Sequence, residues 1–112
     1  MKKILGLILG FSITTGAVAA FISHSETPVS TVAQVLKMKN DAYVTMEGKI
    51  TKQIKKDEYI FEDKTGSITV EIDPKDWHGV DVTPEDTIRI TGELDKGFTS
   101  TEVEVDKVEL IK

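Results

Sequence analysis

Two hydrophobic rhythms divide this chain. In STVAQVLKMKND (residues 30–41), Val32, Val35 and Leu36 recur at i, i+3 and i+4. That spacing predicts one short helix, with Ser30 as its cap, Met38 extending its apolar face and Asn40-Asp41 ending it. From residue 42 onward the period is two. In AYVTMEGKITKQI, Val44, Met46, Gly48 and Ile50 share one face, and Tyr43, Thr45, Glu47 and Lys49 share the other. A glycine in the middle of so long a strand predicts a bend or bulge at Gly48.

Four more strands follow. KKDE is a turn and YIFED the second strand, in which either Tyr59 and Phe61 or Ile60 faces the core. DKTG has the form of a tight hairpin connection closing on a glycine. SITVEI is the third strand, with Ile68, Val70 and Ile72 alternating. DPKDWHGVDVTPED breaks the pattern and reads as a loop with one helical turn over residues 74–77. TIRITGEL is the fourth strand and DKGF a turn. In the fifth, STEVEVDKVEL, apolar parity slips from Val103 and Val105 to Val108 and Leu110, which predicts a bulge near Asp106-Lys107.

One helix and five strands with no spare apolar face predict a mainly β fold. The architecture expected is a small five-stranded OB-fold barrel with a short N-terminal helix. Such barrels usually carry their helix between strands three and four. Here that gap holds only the loop with Trp77, the sole tryptophan.

The N-terminal residues change the picture of where the domain works. MKKILGLILGFSITTGAVAA has two lysines, an apolar run over residues 4–13 and the small-x-small site Ala17-Val18-Ala19. This predicts a cleavable signal peptide over residues 1–20 and a periplasmic product. The apolar run is shorter than the roughly 20 residues a membrane span needs, so no stable membrane insertion is expected. Residues 21–30 read as a flexible linker and 31–112 as the domain. The chain has no cysteine, so neither a disulfide nor a thioether lipid anchor is available.

Charge narrows the partners. Without Lys2 and Lys3 the chain has 12 basic and 19 acidic residues, a net of −7. Nucleic acid is bound mainly through Lys and Arg, so no nucleic-acid partner is expected. The charge is also uneven. Residues 31–56 hold six lysines and two acids, a net of +4; residues 57–112 hold six basic and 16 acidic residues, a net of −10. Solvated strand faces that discourage edge pairing explain part of this. A dipolar surface that docks a charged partner is the functional alternative.

The order of elements and the text of TVAQVLKMKNDAYVTMEGKI, YIFEDKTGSITVEID, WHGVDVTPEDTIRITGELDK and STEVEVDKVEL resemble the bacterial OB-fold (BOF) family of periplasmic stress-tolerance proteins, the YgiW/YdeI type. The resemblance covers residues 31–110, and W-x-G-x-x-V-T-P-x-D (residues 77–86) is its most specific segment. It implies an exported, non-enzymatic OB domain, monomeric or loosely associated, linked to tolerance of envelope, oxidative or metal stress. It supplies no ligand.

Candidate chemistry is sparse. Only His78 lies within the domain, and no serine has a meaningful His and Asp spacing, so no enzyme and no cofactor are expected. Asp73, Asp76, His78 and Asp81 crowd one loop and are weak metal candidates; the structural alternative makes them turn formers and exposed side chains. Trp77 is either a stacking platform for a ligand or a lid over the barrel end. Tyr43, on the polar face of strand one, and Lys49 and Lys52 near it are candidate ligand contacts, as are Glu102 and Glu104 on the acidic fifth strand. The reading that follows is a periplasmic binding module for small cationic molecules, cationic peptides or metal ions, expected to be a monomer. The alternatives are a domain that docks on an envelope protein through strand-one lysines and strand-five acids, and neutral glycan binding through Trp77.

Overall fold

A computed structural model describes residues 27–112. The expected signal peptide, residues 21–26 of the expected linker and His24 lie outside the described residues. The last linker residues are tied to the domain: Val29 forms a parallel bridge to Thr45, and the Ser30 N–H donates to the Thr45 carbonyl at 2.7 Å. No described helix is long and apolar enough to cross a membrane.

The helix α1 spans Val32–Val35, a single turn. Its cap is Thr31, not Ser30. The Thr31 hydroxyl accepts the Gln34 N–H and the Gln34 side chain accepts the Thr31 N–H, a reciprocal pair that satisfies two otherwise orphan donors. Because the helix stops after one turn, Leu36 does not follow Val32 and Val35 inward and is 42% exposed. Met38 does pack against the core.

Five strands follow: β1 (Tyr43–Lys55), β2 (Glu58–Asp63), β3 (Gly66–Ile72), β4 (Thr87–Lys96) and β5 (Thr101–Ile111). They close into a barrel in the order β1-β2-β3-β5-β4. All neighbours are antiparallel except β3 and β5, which run parallel from Thr69 opposite Glu102 to Ile72 opposite Val105. A 3₁₀ turn (Pro74–Trp77) stands where the interstrand helix of other OB barrels would lie.

Alternation sorts the side chains. Val44, Met46, Phe61, Val70, Ile72, Ile88, Ile90, Leu94 and Val103 are fully buried inside the barrel. Phe61 and Tyr59 face inward, so Ile60 is the outward residue of β2. Thr45 faces outward, yet it is buried. The Val29–Ser30 segment is bonded to it, and its hydroxyl lies 3.1 Å from that of Thr91.

One long strand serves two partners. Residues 43–48 of β1 pair with β4, ending at Gly48 opposite Ile88; residues 49–55 pair with β2. At the handover a Cβ on Gly48 would fall on the Glu62 carbonyl and 2.9 Å from the Phe61 ring. So Gly48 marks a close approach, while the bulges come later, at Thr51 and Ile54. The bulge expected near Asp106-Lys107 is present: Thr91 faces Lys107, Gly92 faces Val105, and Asp106 is the extra residue.

Candidate functional site

The barrel registers carry the acidic residues into one row. Glu58 of β2 faces Glu71 of β3, Glu71 faces Glu104 of β5, and Glu104 faces Glu93 of β4. Glu102, one pleat along β5, faces Asp95 on β4 and Thr69 on β3. These residues share outward parity, so their carboxylates project from one sheet face. Like charges directly opposite each other in a sheet repel.

Three of them converge. Carboxylate oxygens of Glu71, Glu102 and Glu104 all lie within 4.8 Å of one another. Partial burial, followed by repulsion from Glu104, Asp73, Glu58 and Asp57, pushes the Glu71 carboxyl above its ordinary range. Glu102 is pushed up in the same way, by burial and then by Glu58, Glu71, Asp95 and Glu104. Among the described residues no ion pair reaches this group. The contrast lies on the same barrel: Arg89 of β4 is clamped by Glu47 of β1 at 2.8 Å and by Glu109 of β5 at 3.5 Å.

Chemically, three clustered carboxylates are hard oxygen donors. They suit Ca²⁺, Mg²⁺ or an organic ammonium better than a soft transition metal. A spread of 4.8 Å is about twice a Ca–O bond of roughly 2.4 Å, so three oxygens can reach one ion. A full calcium shell of six to eight oxygens would need water for the rest, which favours weak, exchangeable binding.

The residues singled out in the sequence fall into separate places. Glu102 and Glu104 join Glu71 in the acidic cluster. Tyr43 lies beside that region: it faces Glu93 across β1 and β4, and its hydroxyl donates to Asp106 at 3.0 Å. It therefore stands among acids and not, as expected, near Lys49 and Lys52. Loss of solvent around the phenol, then the hydrogen bond and charge of Asp106, raise its pKa above the ordinary tyrosine value. A groove of about 300 Å³ runs from Tyr43 past Glu71 and Glu104 to Asp73 and Asp76.

Lys52 and Trp77 belong to a second groove, of about 690 Å³, between β1 and the loop over residues 79–84. Trp77 is half-buried. It packs on the core and meets Tyr59 edge to face, with ring centres 5.6 Å apart, so it both closes the barrel and lines the groove. Lys49 faces Glu62 on the neighbouring strand pair. The loop acids do not gather: Asp73 and Asp76 line the groove beside Tyr43, Asp81 lines the groove beside Trp77, and His78 is exposed in a left-handed conformation at φ 52°. Glu71 is the residue that sequence reasoning passed over. Its alternation within SITVEI placed it on the outer face, but the parallel pairing that brings it to Glu104 leaves no local signal.

Comparison with known proteins agrees with this architecture. Residues 10–110 match the family model described as bacterial OB fold (BOF) protein. The chain is 44% identical over 80 residues to protein YgiW of Escherichia coli K12, a match covering 71% of this chain and 62% of that protein. It is 35% identical over 105 residues to the calcium-regulated OB-fold protein CarO of Pseudomonas aeruginosa, covering 93% of this chain and 90% of that one. The solved structure of the hypothetical protein ygiW from E. coli superposes with a TM-score of 0.74 at 42% identity, over 75% of this chain and 90% of that one.

Proposed function

The chain belongs to the bacterial OB-fold (BOF) protein family, and from that premise we propose that it is a non-catalytic binding protein of the periplasm that takes cationic ligands on its acidic face and contributes to envelope stress tolerance. The observation that carries the ligand class is the convergence of Glu71, Glu102 and Glu104 with no cationic side chain paired to them among the described residues. A bound cation would offset the mutual repulsion that raises two of these carboxyls. Divalent ions, small amines and lysine-rich peptides all have the required charge, and calcium is the first probe because a relative's name calls that protein calcium-regulated. The absence of cysteine and the presence of one domain histidine favour binding over covalent catalysis. The periplasmic assignment rests on residues 1–20, and an exported product about 20 residues shorter by intact mass would support it.

The test is a Ca²⁺ titration followed by backbone amide NMR at low salt. Shifts should concentrate at Glu71, Glu102 and Glu104, and should shrink at high salt because exposed charges are screened over about 8–10 Å. Glu71→Gln and Glu104→Gln should each weaken them. Shifts absent at low salt, or unchanged in both variants, would sink the reading. A lysine-rich peptide in place of calcium tests the wider ligand class on the same residues.

A further inference from the structure

The handover of β1 from β4 to β2 leaves one side of its second half without a partner strand. Pairing to β4 stops at Gly48, pairing to β2 occupies only the opposite edge, and among the described residues no loop backbone bonds to residues 49–55. Alternate backbone N–H and C=O groups there are turned away from β2. Beside this edge lies the groove of about 690 Å³, floored by Ile50, Tyr59 and Trp77 and walled by Val80, Val82 and Pro84. The groove keeps the loop at a distance, so the edge is open.

From this we infer that the free edge of β1 over residues 50–55 is a docking site for an extended acidic peptide of a partner protein, added as a further antiparallel or parallel strand. Main-chain hydrogen bonds would hold such a peptide, and its alternate side chains would enter the groove against Tyr59 and Trp77. Charge selects the occupant. Lys52, Lys55 and Lys56 are exposed along this edge and, among the described residues, none has an ion-pair partner. Asp81, on the far wall, is the acid that lines the groove. A second copy of the chain is disfavoured, since antiparallel pairing of two such edges would set these lysines against their own copies. The bulges at Thr51 and Ile54 add to that protection against self-pairing. The site lies apart from the glutamate cluster and does not depend on cation binding there.

The test uses the full domain and a fluorescein-labelled peptide of alternating glutamate and valine. Fluorescence anisotropy should report binding, and unlabelled peptide should change the emission of Trp77, the sole tryptophan. The same peptide N-methylated at alternate residues should bind at least tenfold more weakly. So should the native peptide to a Lys52→Glu, Lys55→Glu double variant whose melting temperature is unchanged. Glu71→Gln and Glu104→Gln should leave peptide binding intact, which separates this proposal from the cation reading. No binding at low salt would overturn it, as would equal affinity for the N-methylated peptide, which would mean charge attraction without strand addition. Displacement by a tighter-binding oligothymidylate would reassign the groove to a polyanion. A concentration-dependent dimer that competes with the peptide would reassign it to a second copy.

Discussion

Glu71 of β3 and Glu104 of β5 stand directly opposite each other across the one parallel ladder among the described strands. Each faces a further glutamate on its other side, Glu58 and Glu93. The barrel is thus closed through a seam of like charge. Glu71→Gln should therefore raise stability at neutral pH by about 0.2–1 kcal/mol, the range of cross-strand pair effects. Urea unfolding at low and high salt measures it, and the gain should fade at high salt.

The pH dependence has two limbs of opposite sign. Glu71 and Glu102 have folded-state pKa values above those of an unfolded chain. Their contribution to stability is full below the ordinary glutamate value and is lost as pH rises through their raised values. Acidification from neutral should first raise the melting temperature. Asp63 acts oppositely. Burial pushes its carboxyl up, but hydrogen bonds from the Thr65 hydroxyl and from the Val32, Thr65 and Gly66 N–H groups outweigh that and bring it below the ordinary range. Its contribution is present above the ordinary aspartate value and is lost as pH falls through the lowered one. A melting-temperature profile should show a maximum in mild acid. Glu71→Gln with Glu102→Gln should flatten the neutral side, and Asp63→Asn the acid side.

Asp63 also fastens the helix to the barrel. Its Oδ2 accepts the Val32 N–H at 2.9 Å, while Oδ1 accepts the Thr65 hydroxyl at 2.6 Å and the Thr65 N–H at 2.7 Å. Val32 and Val35 are fully buried beside this knot. Asp63→Ala should cost about 1–3 kcal/mol, the penalty for leaving partly buried donors unpaired. Hydrogen exchange should rise selectively at Val32 and Thr65.

Gly92 has no room for a side chain. A Cβ there would fall on the Glu104 carbonyl and 2.7 Å from the Val105 Cα, where the Asp106 bulge presses β5 against β4. Gly92→Ala should destabilise by about 1–3 kcal/mol or more, since the obstacle is backbone. Gly79→Ala meets nothing within 4 Å, and its cost should come only from the left-handed φ of 75°. Thermal melts of the two variants compare steric with conformational strain.

Much of the barrel was legible in the chain because alternation is a local signal. The inward set Val44, Met46, Gly48 and Ile50, the slip at Asp106 and the turn ending at Trp77 all lie where their own neighbours place them. What could not be read was set by distant contacts. Leu36 is exposed because the helix ends after one turn, and Thr45 is covered because residues 29–30 fold back over it. The displacement of the β1 bulges to Thr51 and Ile54 follows from pairing with β2 after the handover. The candidate site was half legible. Glu102 and Glu104 could be put on one face, whereas Tyr43 was placed with the wrong neighbours and Glu71 was found only through the β3–β5 register.

The parallel seam also governs how this molecule assembles in time. The meander β1-β2-β3 and the hairpin β4-β5 are local in sequence, whereas β3 meets β5, and β1 meets β4, only after a long stretch of chain is brought round. Contacts of that kind slow folding, because loop entropy is spent before the contact rewards it. With glutamate facing glutamate at the join, counter-ions that screen the two charges should speed the closing of the ring.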